Sequence, residues 1–222
     1  MTGFFIVKQL TDFLSRLIPM VPGCPQPVAL QALRDAAIDF CERTMIVRHV
    51  TDPVTVRPGE PTYDIDLPSE SAVVRVLNVW YGGSRLELAP AQTVTAHGAY
   101  VIGGDLGSPT AAYVLEPATV RLFPVPDARQ DRALIVQAAT KPTRTAKSVA
   151  AILFDDWAEA IVGGALARLA VMPGNSFSNP DMAALGASQF LAGVNAAKLE
   201  ARKGRVVGDV RVIGRTFSGV RR

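Results

Sequence analysis

The sequence predicts an α+β fold: a bundle of about four helices, a small antiparallel β-domain (sandwich or barrel) inserted in it, and an extended C-terminal tail. Three observations predict it. Apolar residues recur at helical spacing towards both ends of the chain. From Thr51 to about Pro142 they fall instead in short runs broken by Pro and Gly. Beyond Gly204 apolar and charged residues alternate with no neighbouring strand in sequence to pair with. The implied organisation is residues 1–50 as a first helical pair, 51–143 as the β insertion, 144–203 as a helical hairpin of the same bundle, and 204–222 as the tail.

Leu10, Phe13, Leu14, Leu17 and Ile18 fall at i, i+3, i+4, i+7 and i+8, which predicts an amphipathic helix, capped by Thr11 or Asp12 if it starts late. Pro19, Pro22, Gly23 and Pro25 break the chain. A second helix is expected from Pro27 to about Val47, with Leu30, Leu33, Ala37, Phe40, Cys41 and Thr44 on one face. Arg34, Asp35, Asp39, Glu42 and Arg43 take the other.

After Thr51-Asp52-Pro53 the expected strands are 54–57, 62–66, 72–81, 85–88, 112–115, 119–123 and 133–139. About seven short strands suffice for a small sandwich or barrel. Gly82-Gly83 marks a tight hairpin. No βαβ alternation appears, which argues against a doubly wound nucleotide-binding sheet.

The chain is organised around DDWAEAIVGGALARLAVM, residues 155–172. After Glu159 its only charge is Arg168, and a helix apolar nearly all round belongs inside a domain. Each of Gly163 and Gly164 costs helix stability, about 1 kcal/mol relative to Ala. Bare backbone there is useful where another element packs very close. Pro173-Gly174 stops this helix, and Ser178-Asn179-Pro180-Asp181 supplies a cap, an N1 proline and a first-turn acid for the next. That helix should run from Pro180 to Lys203, with Ala183, Ala187, Phe190, Leu191, Val194 and Ala197 on its packed side and Gly204 as its stop.

Composition excludes several classes. Hydrophobic residues make up 49% of 222 and mean hydropathy is +0.22, too apolar for a wholly disordered chain. The run from Ala160 to Met172 is too short to cross a bilayer, which takes about 20 residues. MTGFFIVKQL has neither a basic start nor a small-residue cleavage site, so it reads as untargeted and made in the cytoplasm. Cys24 and Cys41 lack CxxC spacing and read as reduced structural thiols. Charge is uneven. From Lys198 onward eight basic residues face two acids, a local +6, so the preceding 197 residues carry −3 of the overall +3. A basic tail on a mildly acidic body usually meets something.

Reactive constellations are scarce. His49, expected at a helix end, and His97, in a loop, have no sequence-recognisable nucleophile or acid beside them. Asp155, Asp156 and Glu159 are where a helix start favours acids, so capping outranks a carboxylate site. Asp64 and Asp66 share a strand face and give only a weak hard-cation signal. The glycines at 103, 104 and 107 do not open a helix in the phosphate-loop manner. Trp80 and Trp157 read as core or interface anchors. No catalytic residue, cofactor or metal is expected.

The tail RVVGDVRVIGRTFSGVRR admits three readings: a solvated terminus, a nucleic-acid contact, or a strand that docks on a protein. Interleaved Val and Ile favour the last. The docking residues would be Arg205, Val207, Val210, Arg211, Val212, Ile213, Arg215, Arg221 and Arg222. Trp157, Gly163, Gly164, Phe190 and Val194 would carry core or inter-copy packing.

Five stretches then point to a family: PGCPQPVALQALRDAAIDFCERT (22–44), VVRVLNVWYGGSRLELAP (73–90), TVRLFPVPD (119–127), ATKPTR (139–144) and FDDWAEAIVGGALARLAVMPGNSFSNPDMA (154–183). Together they resemble the head–tail adaptor, or connector, proteins of tailed bacteriophages. None is a catalytic signature; the match is one of pattern. The resemblance implies a virion structural protein in the neck between capsid and tail. It implies a ring homo-oligomer of about twelve copies beneath the portal protein, with the C-terminal segment docked on the portal. A next tail or neck protein would bind below, and double-stranded DNA would pass through the channel without sequence-specific contacts. Some short-tailed relatives also attach fibres or carry muralytic activity, but no Asp or Glu here stands in a context that supports the latter. A different class of function, a carbohydrate- or cell-surface-binding module on the β insertion, would use Trp80, Tyr81, Tyr100 and Tyr113 as a platform.

Overall fold

The computed structural model describes residues 6–89, 106–114, 116 and 118–204. The chain is α+β. The first element among the described residues is a strand, β1 (Val7–Gln9), that no sequence pattern announces. The amphipathic spacing that follows winds as a 3-10 turn (Leu10–Phe13), one α turn (α1, Leu14–Leu17) and a second 3-10 turn (Ile18–Met20). Leu10, Phe13 and Leu17 are buried along it. The Asp12 carboxylate accepts the Gln9 backbone N–H at 3.2 Å.

Helix α2 (Gln26–Thr44) starts behind Pro25 with Pro27 in its first turn. It stops three residues short of the expected Val47. Met45 adopts φ +52° and its N–H donates to the Cys41 carbonyl at 2.9 Å, a left-handed end without a glycine. His49 therefore sits in a strand, β2 (Arg48–Val50), not at a helix end.

The strands that follow are β3 (Val54–Val56), β4 (Thr62–Asp64), β5 (Ser71–Tyr81), β6 (Ser84–Arg85), β7 (Glu87–Leu88), β8 (Leu106–Gly107), β9 (Ala111–Tyr113), β10 (Thr119–Phe123), β11 (Val125–Pro126) and β12 (Gln130–Pro142). Gly82 and Gly83, at φ +55° and +82°, turn β5 into β6. One sheet has the order β2–β12–β5–β6, with β3 also on β12; a second has β4–β10–β9–β7. Val56, Val76, Val79, Leu134 and Val136 of the first sheet meet Tyr63, Ala112, Val120 and Leu122 of the second in one hydrophobic cluster.

Where a return to helix is expected after Pro142, the chain first forms β13 (Ser148–Ala150), antiparallel to β1. The expected single helix over 155–172 is two: α3 (Ala151–Asp155) and α4 (Ala158–Ala170), parted at Asp156-Trp157. Asp155 thus ends a short helix rather than starting a long one, and only Glu159 lies in the first turn of α4. Helix α5 (Pro180–Lys203) has the expected bounds. The Asn179 side chain accepts from the backbone N–H groups of Asp181 (3.0 Å) and Met182 (3.2 Å). A second hydrophobic cluster joins α1, α2, α4 and α5. The Lys141–Glu42 ion pair (2.5 Å) ties β12 to α2.

Candidate functional site

Among the described residues the specialised geometry lies in the α4–α5 hairpin and in the place where the tail departs. Ten of the thirteen residues of α4 are buried, so it is the centre of the helical layer. The antiparallel α5 approaches it backbone to backbone. A Cβ built on Gly163 would stand 2.9 Å from the Gly186 carbonyl oxygen, and one on Gly186 would stand 2.6 Å from that of Gly163. About two turns further along α5, Gly193 receives Ala160. Gly164 opens the third side, where the Phe190 ring and the Ala36 methyl of α2 fill the space a side chain would take.

Around this seam the aromatic residues interlock. Phe40 lies 5.7 Å from Trp157 and 6.1 Å from Phe190, ring centre to ring centre. Val194 is buried beside them, and Trp157 is half-buried. Asp39 accepts from Arg43 (2.5 Å) on its own helix and from Arg168 (2.9 Å) on α4. Arg168 also donates to the Gly164 carbonyl at 2.8 Å, and both arginines lie over the Phe190 ring. The one cation of α4 thus ties three helices together, with half-exposed partners that keep its cost of desolvation small.

The inward face of α5 is Ala183, Gly186, Phe190, Val194 and Ala197. Ala187 and Leu191, expected on the packed side, are exposed, Leu191 by 54%. Gly186 replaces them because the closest approach of two helices selects the residue with no side chain.

At its far end α5 is held where the tail leaves. The Arg48 guanidinium donates to the Ala201 carbonyl at 2.5 Å, satisfying a last-turn acceptor. Gly204 turns the chain at φ +68° with its N–H on Glu200 at 2.8 Å. The predicted docking residues Arg205, Val207, Val210, Arg211, Val212, Ile213, Arg215, Arg221 and Arg222 lie outside the described residues, as do Tyr100, His97, Gly103 and Gly104.

A second clamp was invisible in the sequence. Glu70 stands at φ +60° before β5, and its carboxylate accepts from the Ser148 hydroxyl (2.6 Å) and from the N–H groups of Ser148 (3.0 Å) and Lys147 (3.1 Å). These bonds, the Ser148 hydroxyl first, hold its pKa below the ordinary glutamate value. A depressed folded pKa stabilises the fold above the unfolded value and ceases to do so as pH falls through the folded one. Glu70→Gln should therefore cost at most about 1 kcal/mol, because the group is largely solvated. The gap from wild type should be widest above the ordinary glutamate value and close as pH falls through the lower folded one. Urea titrations across pH 3–7 check this; a gap that does not change with pH defeats it.

Other candidates dissolve. Tyr81 and Tyr113 are 5% and 2% exposed, buried under the sheets, so they form no binding platform with the half-buried Trp80. Asp64 is exposed on β4, and among the described residues no group of three His, Cys, Asp or Glu could hold a metal ion. Burial pushes the Cys41 thiol up to about 12; Cys24 is half-buried and, for the same reason, raised. An open groove of ≈ 440 Å³ beside α2 is lined by Pro27, Val28, Ala32, Asp35, Arg168 and Met172. No described helix is long and apolar enough to cross a membrane.

A structural scaffold with its sequence motifs spread from Pro22 to Ala183 is what the resemblance to phage adaptors calls for. No curated protein matches this chain. The family model described as SU10 adaptor protein matches residues 7–212, from β1 through α5 and into the tail. The chain belongs to the SU10 adaptor protein family, the phage head–tail adaptors, and is a structural component of the virion.

Proposed function

We propose that this adaptor assembles as a ring of about twelve copies beneath the portal in the virion neck. Its C-terminal tail docks on the portal, a further neck or tail protein binds below, and the ring leaves a channel through which DNA passes. In this reading the helical segments 1–50 and 144–203 form one bundle, 51–143 an inserted β-domain, and 204–222 the docking tail. The observation that carries it is the rigid departure point of the tail. Helix α5 is locked to α4 at Gly163–Gly186, and Arg48 holds its last turn at Ala201. A basic segment of alternating aliphatic residues follows directly, eighteen residues with Arg at 205, 211, 215, 221 and 222. A segment of that sequence pattern suits strand addition to another molecule.

Removing residues 205–222 should leave the melting temperature within about 2 °C of wild type while abolishing capture on immobilised portal protein. A truncated protein that still binds portal would show the docking claim to be wrong.

A further inference from the structure

Helix α5 has an outer face that the other described residues leave bare. No charged residue occurs between Asp181 and Lys198, although more than half of these positions are exposed. A surface helix with one buried stripe ordinarily carries its charge on the opposite face, as α2 does with Asp35, Glu42 and Arg43. Leu185 and Leu199 are instead 47% and 53% exposed.

The residues along this face are arranged symmetrically. Asp181, Leu185, Ser188, Ala192, Ala196, Leu199 and Lys203 are all exposed and follow one another at spacings of 4, 3, 4, 4, 3 and 4. At 3.6 residues per turn these positions share one stripe. The order is the same read from either end, with Ala192 at the centre, small residues beside it, leucines beyond, and opposite charges at the two ends.

We infer that this face binds the same face of a second copy, antiparallel, across a two-fold axis at Ala192. A two-fold contact joins one patch to itself, so each position meets its mirror position in the stripe. Leu185 then meets the partner copy's Leu199, Ser188 meets Ala196, and the Asp181 carboxylate meets the Lys203 ammonium, twice over. The small residues at the centre let the backbones approach, and the leucines close the seam on both sides. A parallel arrangement would put Asp181 on Asp181 and Lys203 on Lys203, which like-charge repulsion disfavours. The charge pattern selects the antiparallel partner. The stripe is about 33 Å long and one helix wide, below the roughly 800 Å² per partner of a tight complex, so the dimer is a weak one that exchanges with monomer. A two-fold pair has no place in the cyclic ring proposed above, so it is a form of the free protein that opens before the ring assembles.

Sedimentation equilibrium of the full-length protein tests this. Wild type should dimerise reversibly. Ala192→Glu, which places two carboxylates on the axis, should weaken the dimer at least about tenfold with unchanged circular dichroism. Asp181→Lys and Lys203→Asp should each weaken it by about tenfold, and the two together should restore it. The restoration discriminates, since both changes oppose the helix dipole and a merely local effect would add. Ala192→Cys in a Cys24→Ser background should give a disulfide-linked dimer on oxidation, while Ala187→Cys should not. A wild type that stays monomeric to about 1 mM, above the range of specific association, would overturn the inference. So would a dimer that survives Ala192→Glu, or paired charge changes that add rather than cancel.

Discussion

Gly186→Leu is expected to be among the most damaging single substitutions in the helical layer, although it replaces a poor helix former with a good one. On propensity alone the change would stabilise α5 by close to 1 kcal/mol. Packing decides the opposite. A Cβ at 186 would stand 2.6 Å from the Gly163 carbonyl oxygen and 2.9 Å from the Ala167 backbone nitrogen. Both neighbours are backbone atoms of a helix buried on nearly every side, and neither can rotate away. The only relief is to slide or lift α5 off α4, which unpacks Phe190 and Val194 together. Overpacking typically costs about 1–3 kcal/mol and more where backbone must move, so a net loss of about 3 kcal/mol or more is expected. For a chain of this size that lowers the melting temperature by about 6–12 °C. Ala187→Leu, one residue along and exposed, should stay within about 0.5 kcal/mol. Thermal and urea melts of the pair check this. Equal stability of the two variants would mean that the glycine seam is not what holds the hairpin.

This seam shows both what the sequence discloses and where it stops. Asn179, Pro180, Asp181 and Gly204 act within a turn of their own positions, so the bounds of α5 could be read directly. The burial of α4 could be read because a stretch with one charge after Glu159 has no side to offer water. The inward face of α5 could not. Ala187 and Leu191 look like better core residues than Gly186, until the partner helix carries a glycine opposite. Met45 ended α2 in a left-handed conformation with no glycine or proline to signal it. β2 and β13 exist because distant strands pair with them, β12 in the one case and β1 in the other. Glu70 finds its partners at Lys147 and Ser148, far along the chain, and no local pattern records such a bond. The tail is the reverse case: its composition singles it out in sequence, and its residues lie outside the described structure.

Phe190→Ala should cost about 3–5 kcal/mol, in line with the loss of a nearly buried ring, and its interest lies in how the loss couples to Gly164. The ring fills the space that a side chain at 164 would take: a Cβ there would lie 2.6 Å from Phe190 Cδ2 and 3.1 Å from the Ala36 methyl. Gly164→Ala alone should therefore destabilise by about 1–2 kcal/mol, because the steric penalty exceeds the gain in helix propensity. In the Phe190→Ala background the ring is gone, the added methyl partly fills the cavity, and the propensity gain becomes visible. The double variant should then be about 1–2 kcal/mol more stable than the sum of the single effects predicts. Phe190→Leu separates a further contribution. Leucine restores much of the buried volume but offers no π face to Arg43 and Arg168, which stand 5.6 and 5.8 Å from the ring centre. It should recover most of the loss and leave a deficit of about 1 kcal/mol. Urea denaturation of the four proteins of the cycle gives the coupling directly. If the two losses simply add, Gly164 is small for a reason other than Phe190, and the third side of the seam has been misassigned.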